Sequence, residues 1–589
     1  MNEIEFNTLN NEQQEAVRHT TGPSVILAGA GSGKTRVLVY KVLYLITQKK
    51  VSPSEIVMIT FTNKAAAEMK KRIEKHERRR IGFVGTFHSF CAMLLRKYAG
   101  RLGYGPDFVI FDDEDQTSLL KQLIKEYDGY DKFTPSYISF LISSAKNQLI
   151  VPEKFTAYFP DYRAAKVAEF YKKYQDRLKK NNAFDFDDLI MKTVELLRTD
   201  DDVRRRIHEA YSYILVDEFQ DTNYAQYTLS RLLSEDSRNI TVVGDFSQSI
   251  YSWRGADIRN LEKFQEDFSG AQIFQLEENY RSTPPILDFA YTVISKNNGH
   301  PILKLRTQKR GGKDIIIKQL QNEEEEALYV AHEIERLRST YPYKDFAILY
   351  RINAQSRALE EVMLHYNIPY VLIGGTRFYE RREIKDILSY LRLLVNPHNE
   401  LAQDRIMKMG KRKWTAFQQR IDELRSDLDA KDTIQLIESV LASTGYDDQY
   451  KTSNPDDYAR LENIKELKSV ALTFPKLDSF LEQIALVESE YSEGEKKNNE
   501  EGVRLMTLHQ AKGLEFPVVF IVGAEEGVLP HSRSVDDYYQ LEEERRLMYV
   551  GITRAKEHLY ITHARRRFLF GRRTDSVPSR FIADDTEEW

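Results

Sequence analysis

The string SVILAGAGSGKT (24–35) sets Ala28, Gly29, Ala30, Gly31, Ser32 and Gly33 between a short apolar run and the pair Lys34–Thr35. That order reads as a strand, a glycine-rich loop and a helix, and the backbone N–H groups at the start of such a helix cradle phosphate oxygens. Lys34 can then pair with β- and γ-phosphates, and the Thr35 hydroxyl can reach a Mg2+ ion. Ala28 stands where the strict pattern has glycine; alanine suffices if that residue ends the strand without needing positive φ. A second string, YILVDEFQD (213–221), ends an apolar run in Asp217 and Glu218. Alone, these are as readily two solvated acids at a strand end. Beside a phosphate loop, Asp217 can hold Mg2+ through water and Glu218 can polarise an attacking water as general base. Phosphoryl transfer also needs cations on the developing charge, and Arg281 in ENYRST and Arg554 in MYVGITRAK are the candidates. A third string, GDFSQSIYSWRGAD (244–257), carries the amide Gln248 and the stacking ring Trp253 five residues apart, too crowded for a loop that only turns the chain.

These strings need a parallel α/β frame to hold them. SVILA and IVMITF (56–61) read as strands, and RVLVYKVLYLI (36–46) and NKAAAEMKKRIEKH (63–76) read as helices. From about 105 to 190 the strand signal fades into amphipathic helices, and strands resume at YSYILVDEF (211–219) and NITVVGDF (239–246). A second α/β unit begins near 281, with strands in KDIIIKQL (313–320), DFAILYR (345–351) and IPYVLIG (368–374). Its pattern turns helical over 380–497, passes a charged linker at 488–502, and returns to strands at VRLMTL, FPVVFIVG and HLYITH. The expected fold class is therefore α/β: two P-loop-type parallel-sheet domains, each interrupted by a helical insertion.

Bulk composition narrows the class. At 589 residues the chain exceeds one hydrophobic core, and its 30% charged and 41% hydrophobic content is that of an ordinary globular protein. A single cysteine, Cys91, excludes an internal disulfide framework and a cysteine zinc site; it reads as a small buried apolar residue in a reducing compartment. No stretch has the pattern of a signal peptide or the length of a membrane span. The net charge of −5 argues against a wholly basic nucleic-acid coat but allows a local basic track. The basic runs KKRIEKHERRR (70–80), VRRRIH (203–208) and ARRRFLFGRR (564–573) each read as solvated faces.

Ordered strings along nearly the whole chain carry a more specific resemblance. LNNEQQEAV, AGAGSGKTRVL, ITFTNKAAAEM, GTFHSF, FDFDDLI, VDEFQDTN, VGDFSQSIYSWRGADI, ENYRST, LYRINAQSRALEE, MTLHQAKGLEFPVVF and EEERRLMYVGITRAKE together resemble superfamily 1 DNA helicases of the UvrD/PcrA/Rep type, with the PcrA branch nearest. The resemblance implies two RecA-like cores with ATP between them: core 1A over 1–104 and 191–280, insertion 1B over 105–190, core 2A over 281–379 and 498–589, and insertion 2B over 380–497. It implies ATP and Mg2+ as cofactors, single-stranded DNA and its junctions with duplex as substrate, and 3′-to-5′ translocation. Accessory repair or replication proteins, a monomer or weak dimer, no membrane, and a bacterial, phage or plasmid protein in the cytoplasm complete the expectation.

By the same resemblance Gln13 would read adenine, Arg36 would lie beside the nucleotide, Tyr280 would stack on the base, and Glu515 would lie near the ribose. Gln248 would face the γ-phosphate with Arg281 and Arg554. DNA would be met by Phe61, Thr62, Asn63, Thr86, Phe87, His88, Tyr251, Trp253 and Arg254, and in the second core by Arg351, Asn353, Thr507 and His509. Aromatic faces and phosphate-binding groups suit sequence-tolerant strand binding. Two features depart from the family. Insertion 2B is short, and MGKRKWTAFQQRI (409–421) stands where relatives carry a Gly-Ile-Gly hairpin that grips duplex. The chain also stops soon after VPSRFI (577–582), without the extended tail or the nuclease domain that some relatives carry. A translocase that strips proteins and unwinds weakly, and a nucleotide-gated scaffold without catalysis, are the alternatives to a helicase.

Overall fold

The computed structural model describes residues 6–126, 133–159, 163–452, 454–494, 501–569 and 572–583. The chain forms two compact units: Met1–Arg281 with Asn298–Lys309, and Ser282–Asn297 with Arg310–Trp589.

The first unit contains β1 (Ser24–Ala28), β2 (Ile56–Thr60), β3 (Phe83–Thr86), β4 (Val109–Phe111), β5 (Ala183–Asp185), β6 (Tyr213–Val216), β7 (Ile240–Gly244) and β8 (Gln272–Leu276). Six of these form one sheet in the order β3-β2-β6-β7-β1-β8, with every pairing parallel. The central strands are buried on both faces, so they read as continuous apolar runs. Along β1, Val25 and Leu27 join one core while Ile26 and Ala28 join the other, because successive side chains leave a strand on opposite faces. Edge strand β8, QIFQL, is largely exposed and lacks an apolar run, so its strand signal in the sequence is weak.

Between β3 and β6, helices Asp113–Glu126, Pro135–Asn147 and Ala164–Lys180 pack around Leu119, Ile142, Phe170 and Tyr174. Strands β4 and β5 pair in parallel where this helical segment leaves and rejoins the core. Lys146 is buried there, 2.6 Å from Asp185 and 2.9 Å from Asp188. Burial alone would lower its pKa, but the two carboxylates outweigh burial and raise it.

Asn298–Lys309 lies beyond the boundary expected at 280/281, yet it packs with the first unit. Asn279 N–H donates to the Arg306 carbonyl at 2.7 Å, Arg306 N–H donates to the Glu277 carbonyl at 2.9 Å, and His300 lies 3.1 Å from the Ser247 hydroxyl. This is a backbone pairing of irregular segments, which hydrophobic periodicity does not register.

The second unit contains β9 (Ile316–Leu320), β10 (Phe346–Tyr350), β11 (Tyr370–Leu372), β12 (Val503–Thr507), β13 (Phe516–Ile521) and β14 (Ala555–Ala564) in the parallel order β11-β12-β10-β13-β14-β9. A two-stranded ribbon, β15 (Arg566–Leu569) with β16 (Arg572–Asp575), follows. Between β11 and β12, helices from Arg382–Val395 to Leu477–Gly494 enclose their own core of Ile387, Leu391, Phe417, Leu436 and Phe480. Helix Leu477–Gly494 runs into the linker expected at 488–502, of which 495–500 lie outside the described residues. The KRKW stretch begins helix Lys411–Gln418 rather than a hairpin. Trp414 packs on the helical core, and Lys413 donates to Gln449 Oε1 at 2.8 Å.

Removing one member of a buried ion cluster leaves the others unpaired. Lys146→Met should destabilise the protein by about 3–5 kcal/mol at neutral pH, read as a shift in its urea unfolding midpoint.

Candidate active site

The carboxyl ends of β1, β6 and β7 carry most of the candidate chemistry, as parallel α/β sheets dictate. After β1 the chain turns through Gly31 and Gly33, with φ of 67° and 87°, a region closed to most side chains. A Cβ on Gly31 would also lie 2.8 Å from both Asn279 Nδ2 and Arg281 Cβ. The carbonyls of this loop are held by donors from outside it. Asn279 Nδ2 donates to Ala30 O at 2.6 Å, Tyr280 N–H to Gly31 O at 3.0 Å, and Gln13 Nε2 to Ser32 O at 2.9 Å. Helix Lys34–Thr47 starts at once, and its first-turn N–H groups have no intrahelical acceptor. A loop with its carbonyls tied back and a helix N-terminus in front is built for an anion.

Lys34 Nζ lies 3.6 Å from Glu218 Oε2. Glu218 has φ 53°, a left-handed conformation that is costly for a residue with a side chain. Asp217 is 3% exposed, and its Oδ1 has no hydrogen-bond partner. Burial pushes its pKa up to about 7, and the like charge of Glu218 adds to this against the pull of Lys34. A bare buried carboxylate oxygen at a strand end, in a site with a phosphate loop, is the donor set a hard divalent cation takes. Thr35 and Asp217 thus fit a Mg2+ ion.

Gln248 is buried, and its Nε2 donates to Asp245 Oδ2 at 2.5 Å. Asp245 N–H donates in turn to Gln220 Oε1 at 3.1 Å, and Gln220 Nε2 donates to Glu218 Oε2 at 2.6 Å. Three residues on, Tyr251 and Trp253 meet edge to face with ring centroids 6.3 Å apart, and Arg254 lies over the Trp253 ring at 4.5 Å. Trp253 is 44% exposed, so its ring is available for stacking.

Other sequence candidates are placed as follows. Tyr280 is exposed and pinned by its hydroxyl, which accepts from Asn10 Nδ2 at 2.9 Å. Arg36 donates to the Thr8 hydroxyl at 2.6 Å. Gln13, expected to read adenine, is buried with both ends of its amide engaged: Oε1 accepts from Asn10 N–H at 3.2 Å and Nε2 holds Ser32. In this structure it braces the phosphate loop. Thr62 and Thr86 cap helices that start after β2 and β3, and Asn63 is exposed beside Thr62. Phe61 is half-buried and meets Phe87 edge-on at 5.8 Å. Phe87, expected on the DNA, is 1% exposed; with Phe90, Cys91 and Leu94 it forms the inward face of its helix, and its ring belongs to the core. His88 is half-buried, and burial lowers its pKa, which leaves it neutral at pH 7.

In the second unit Arg351 follows β10 directly and Thr507 ends the adjacent parallel strand β12, with Asn353 exposed and His509 half-buried nearby in sequence. Arg351, expected on the DNA, forms a bidentate ion pair with Glu544 at 2.6–3.1 Å. The Thr507 hydroxyl is used by Gln510. Arg554 is 1% exposed and donates to Val550 O, Leu514 O and the Thr553 hydroxyl at 2.9–3.1 Å. Glu515 is exposed and pairs with Lys556 at 2.8 Å.

Sequence reasoning missed Asn279, which holds the phosphate loop, Gln220, which joins two strand ends, and Phe186, an exposed ring 5.9 Å from His88. All three sit inside quoted strings, but nothing in residue type alone marks a tie between loops. Among the described residues, no helix is long and apolar enough to cross a membrane.

Comparison with known proteins adds an independent line. A sequence model for the UvrD/REP helicase N-terminal domain matches residues 9–269, and one for the UvrD-like helicase C-terminal domain matches 274–440 and 411–566. The chain is 41% identical over 634 positions to ATP-dependent DNA helicase PcrA of Staphylococcus epidermidis, covering 98% of this chain and 86% of the relative. It is 40% identical over 636 positions to the Staphylococcus aureus protein of the same name, covering 99% and 87%.

Asp217 has a folded pKa above its unfolded one, so its contribution to stability is present at low pH and lost as pH rises through about 7. Asp217→Asn removes that burden. It should raise the melting temperature of nucleotide-free protein at pH 8, raise it less at pH 5, and abolish Mg2+-dependent ATP hydrolysis.

Proposed function

The chain belongs to the UvrD/REP-type helicase family, and from that premise we propose that it is an ATP-dependent DNA helicase that translocates 3′-to-5′ on single-stranded DNA in repair or replication, in the cytoplasm. The observation that carries the reading is the meeting of Lys34, Glu218 and the bare carboxylate oxygen of Asp217 at the strand ends, joined through hydrogen bonds to the loop that bears Trp253.

The phosphate loop, Ala28–Gly33, binds the triphosphate through its amides, and Lys34 pairs with the β- and γ-oxygens. Thr35 and Asp217 would hold Mg2+, whose charge would offset that of the triphosphate. Glu218 accepts a proton from the attacking water, whose oxygen bonds to the γ-phosphorus as the bond from that phosphorus to the β–γ bridging oxygen breaks, giving inorganic phosphate and ADP. To do so it gives up Lys34, whose charge the triphosphate takes over. Gln248, Arg281 and Arg554 stabilise charge on the transferred group, and this requires the last to exchange its present carbonyl contacts. Tyr280 stacks on the base, with Gln13, Arg36 and Glu515 on the rest of the nucleoside side. Phe61, Thr62, Asn63, Thr86, His88, Tyr251, Trp253 and Arg254, together with Asn353, Thr507 and His509, form the strand track. Phe87 and Arg351 serve it through packing and ion pairing. The domain limits we propose are cores over 1–104 and 191–280 and over 281–379 and 498–589, with insertions at 105–190 and 380–497, modified by the return of 298–309 to the first unit.

A second reading, a translocase that strips proteins and unwinds poorly, is favoured by three observations. The alignments run over more positions than the chain has residues, the C-terminal domain matches in two pieces that overlap at 411–440, and the KRKW stretch starts a helix. Strand displacement on duplexes with 3′ or 5′ single-stranded tails decides. The helicase reading expects ATP-dependent unwinding of the 3′-tailed substrate alone; rapid protein stripping with negligible unwinding would favour the translocase. Glu218→Gln should retain ATP binding and lower turnover by about 100-fold or more, and unchanged turnover would refute the base assignment.

A further inference from the structure

Gln220 follows the two acids by two residues and is fully buried, a demanding place for an amide that must be satisfied at both ends. Its acceptor, Oε1, takes the backbone N–H of Asp245 at 3.1 Å. Its donor, Nε2, gives to Glu218 Oε2 at 2.6 Å and to Asp221 Oδ2 at 3.3 Å. Its own carbonyl accepts the Ser249 hydroxyl at 3.0 Å. Gln220 therefore grips the turn on both sides of Gln248, at Asp245 and at Ser249, while its amide touches Glu218. The turn is closed from within by Asp245, whose carboxylate takes Gln248 Nε2 at 2.5 Å and Ser247 N–H at 3.2 Å. Gly244 leaves the room this requires: a Cβ there would lie 2.6 Å from Gln220 Oε1.

The conformation of Glu218 supplies the reason for such a device. A left-handed glutamate persists only where its surroundings over-determine it. Lys34 at 3.6 Å is a loose constraint, because an ammonium on a flexible stem fixes no direction. The amide of Gln220, held at its other end by a strand, fixes one.

We infer that Gln220 is a positioning residue that orients Glu218 and fastens it to the Asp245–Gln248 turn, so that the base and the amide facing the γ-phosphate are set as one body. The inference rests on the hydrolytic reading above. Gln220 touches no substrate; it acts through Glu218 and Asp245. Its amide donates a hydrogen bond to the carboxylate and accepts one from the turn. An acid there could still accept from Asp245 but would set a second carboxylate against Glu218; an apolar side chain could do neither.

Three variants test this from the two sides of the contact. Gln220→Glu keeps the acceptor, Gln220→Met removes both functions, and Gly244→Ala changes no polar group but drives a methyl into the Gln220 amide. ATP turnover is measured with and without an oligo-dT strand, nucleotide affinity with a fluorescent ATP analogue, and folding by thermal melting. All three should lose on the order of 10-fold to 100-fold in kcat. Nucleotide affinity should stay within about twofold, and the factor by which oligo-dT stimulates turnover should fall. Turnover and stimulation equal to the parent in Gln220→Glu and Gly244→Ala would overturn the inference. So would a loss of turnover matched by equal losses of nucleotide affinity and melting temperature, which marks a merely structural amide. A parent protein that does not hydrolyse ATP would instead sink the hydrolytic reading itself, which separates the two failures.

Discussion

Asp217 is an acid held out of water with one oxygen bare, next to a second acid in a strained conformation. Each feature is unfavourable: an unsatisfied buried oxygen costs about 1–3 kcal/mol, and a left-handed non-glycine residue about 1–2 kcal/mol. The protein tolerates both because β6 is an interior strand, paired in parallel with β2 on one side and β7 on the other. Asp217 N–H still donates to the Ile59 carbonyl at 2.8 Å, so the sheet grips the backbone up to the residue that bears the charge. Interior placement fixes where the acids stand, parallel pairing puts them at the same end as the phosphate loop after β1, and Lys34 offsets part of their repulsion. The rest of the first unit can be understood as what keeps that arrangement from relaxing.

The second unit has the same sheet type but the opposite electrostatic habit. Its buried acids are compensated: Glu544 by Arg351, and Glu525 and Glu326 by Arg567, at 2.6–2.7 Å. Among the described residues of that unit, no buried carboxylate oxygen is left without a partner. A unit whose buried charges are paired internally has none held ready for a metal ion. One that leaves a carboxylate oxygen bare has chemistry waiting for a ligand. The two units thus differ in how they hold buried acids: the second pairs them with arginine, and the first leaves one oxygen of Asp217 bare.

Much of this was legible in the sequence, and for physical reasons. Interior parallel strands need apolar runs on both faces, so β1, β2, β6, β7, β10, β12 and β13 announce themselves, and the residues that end them are the site. Edge strand β8 and the return of 298–309 to the first unit were not legible, since one is polar and the other is an irregular segment held by backbone pairing and scattered side-chain contacts. Phe87 and Arg351 show a second limit. Residue type says that a ring can stack or an arginine can bind phosphate, but the helix face that puts Phe87 beside Phe90 and the approach of Glu544 to Arg351 are tertiary facts. Gln220 shows a third: an amide in an acidic string looks like a polar spacer until both of its ends are seen to be taken.

The string GDFSQSIYSWRGAD raised the question of why an amide and a stacking ring should stand five residues apart. The structure answers with a short lever. Asp245 pins one end through Gln220 and Gln248, and at the other end Trp253 stands out with Arg254 across its face. Between them run two short 3-10 turns, Phe246–Gln248 and Ser252–Arg254, which are tight and hold little slack. Asp257 N–H donates to the Thr222 carbonyl, so the far side of the loop is tied back to the segment that follows the acids. A loop fastened at both ends to one strand terminus cannot move its aromatic tip without moving the groups around Glu218. That shared anchorage is what the proposed function would use to couple hydrolysis to the strand.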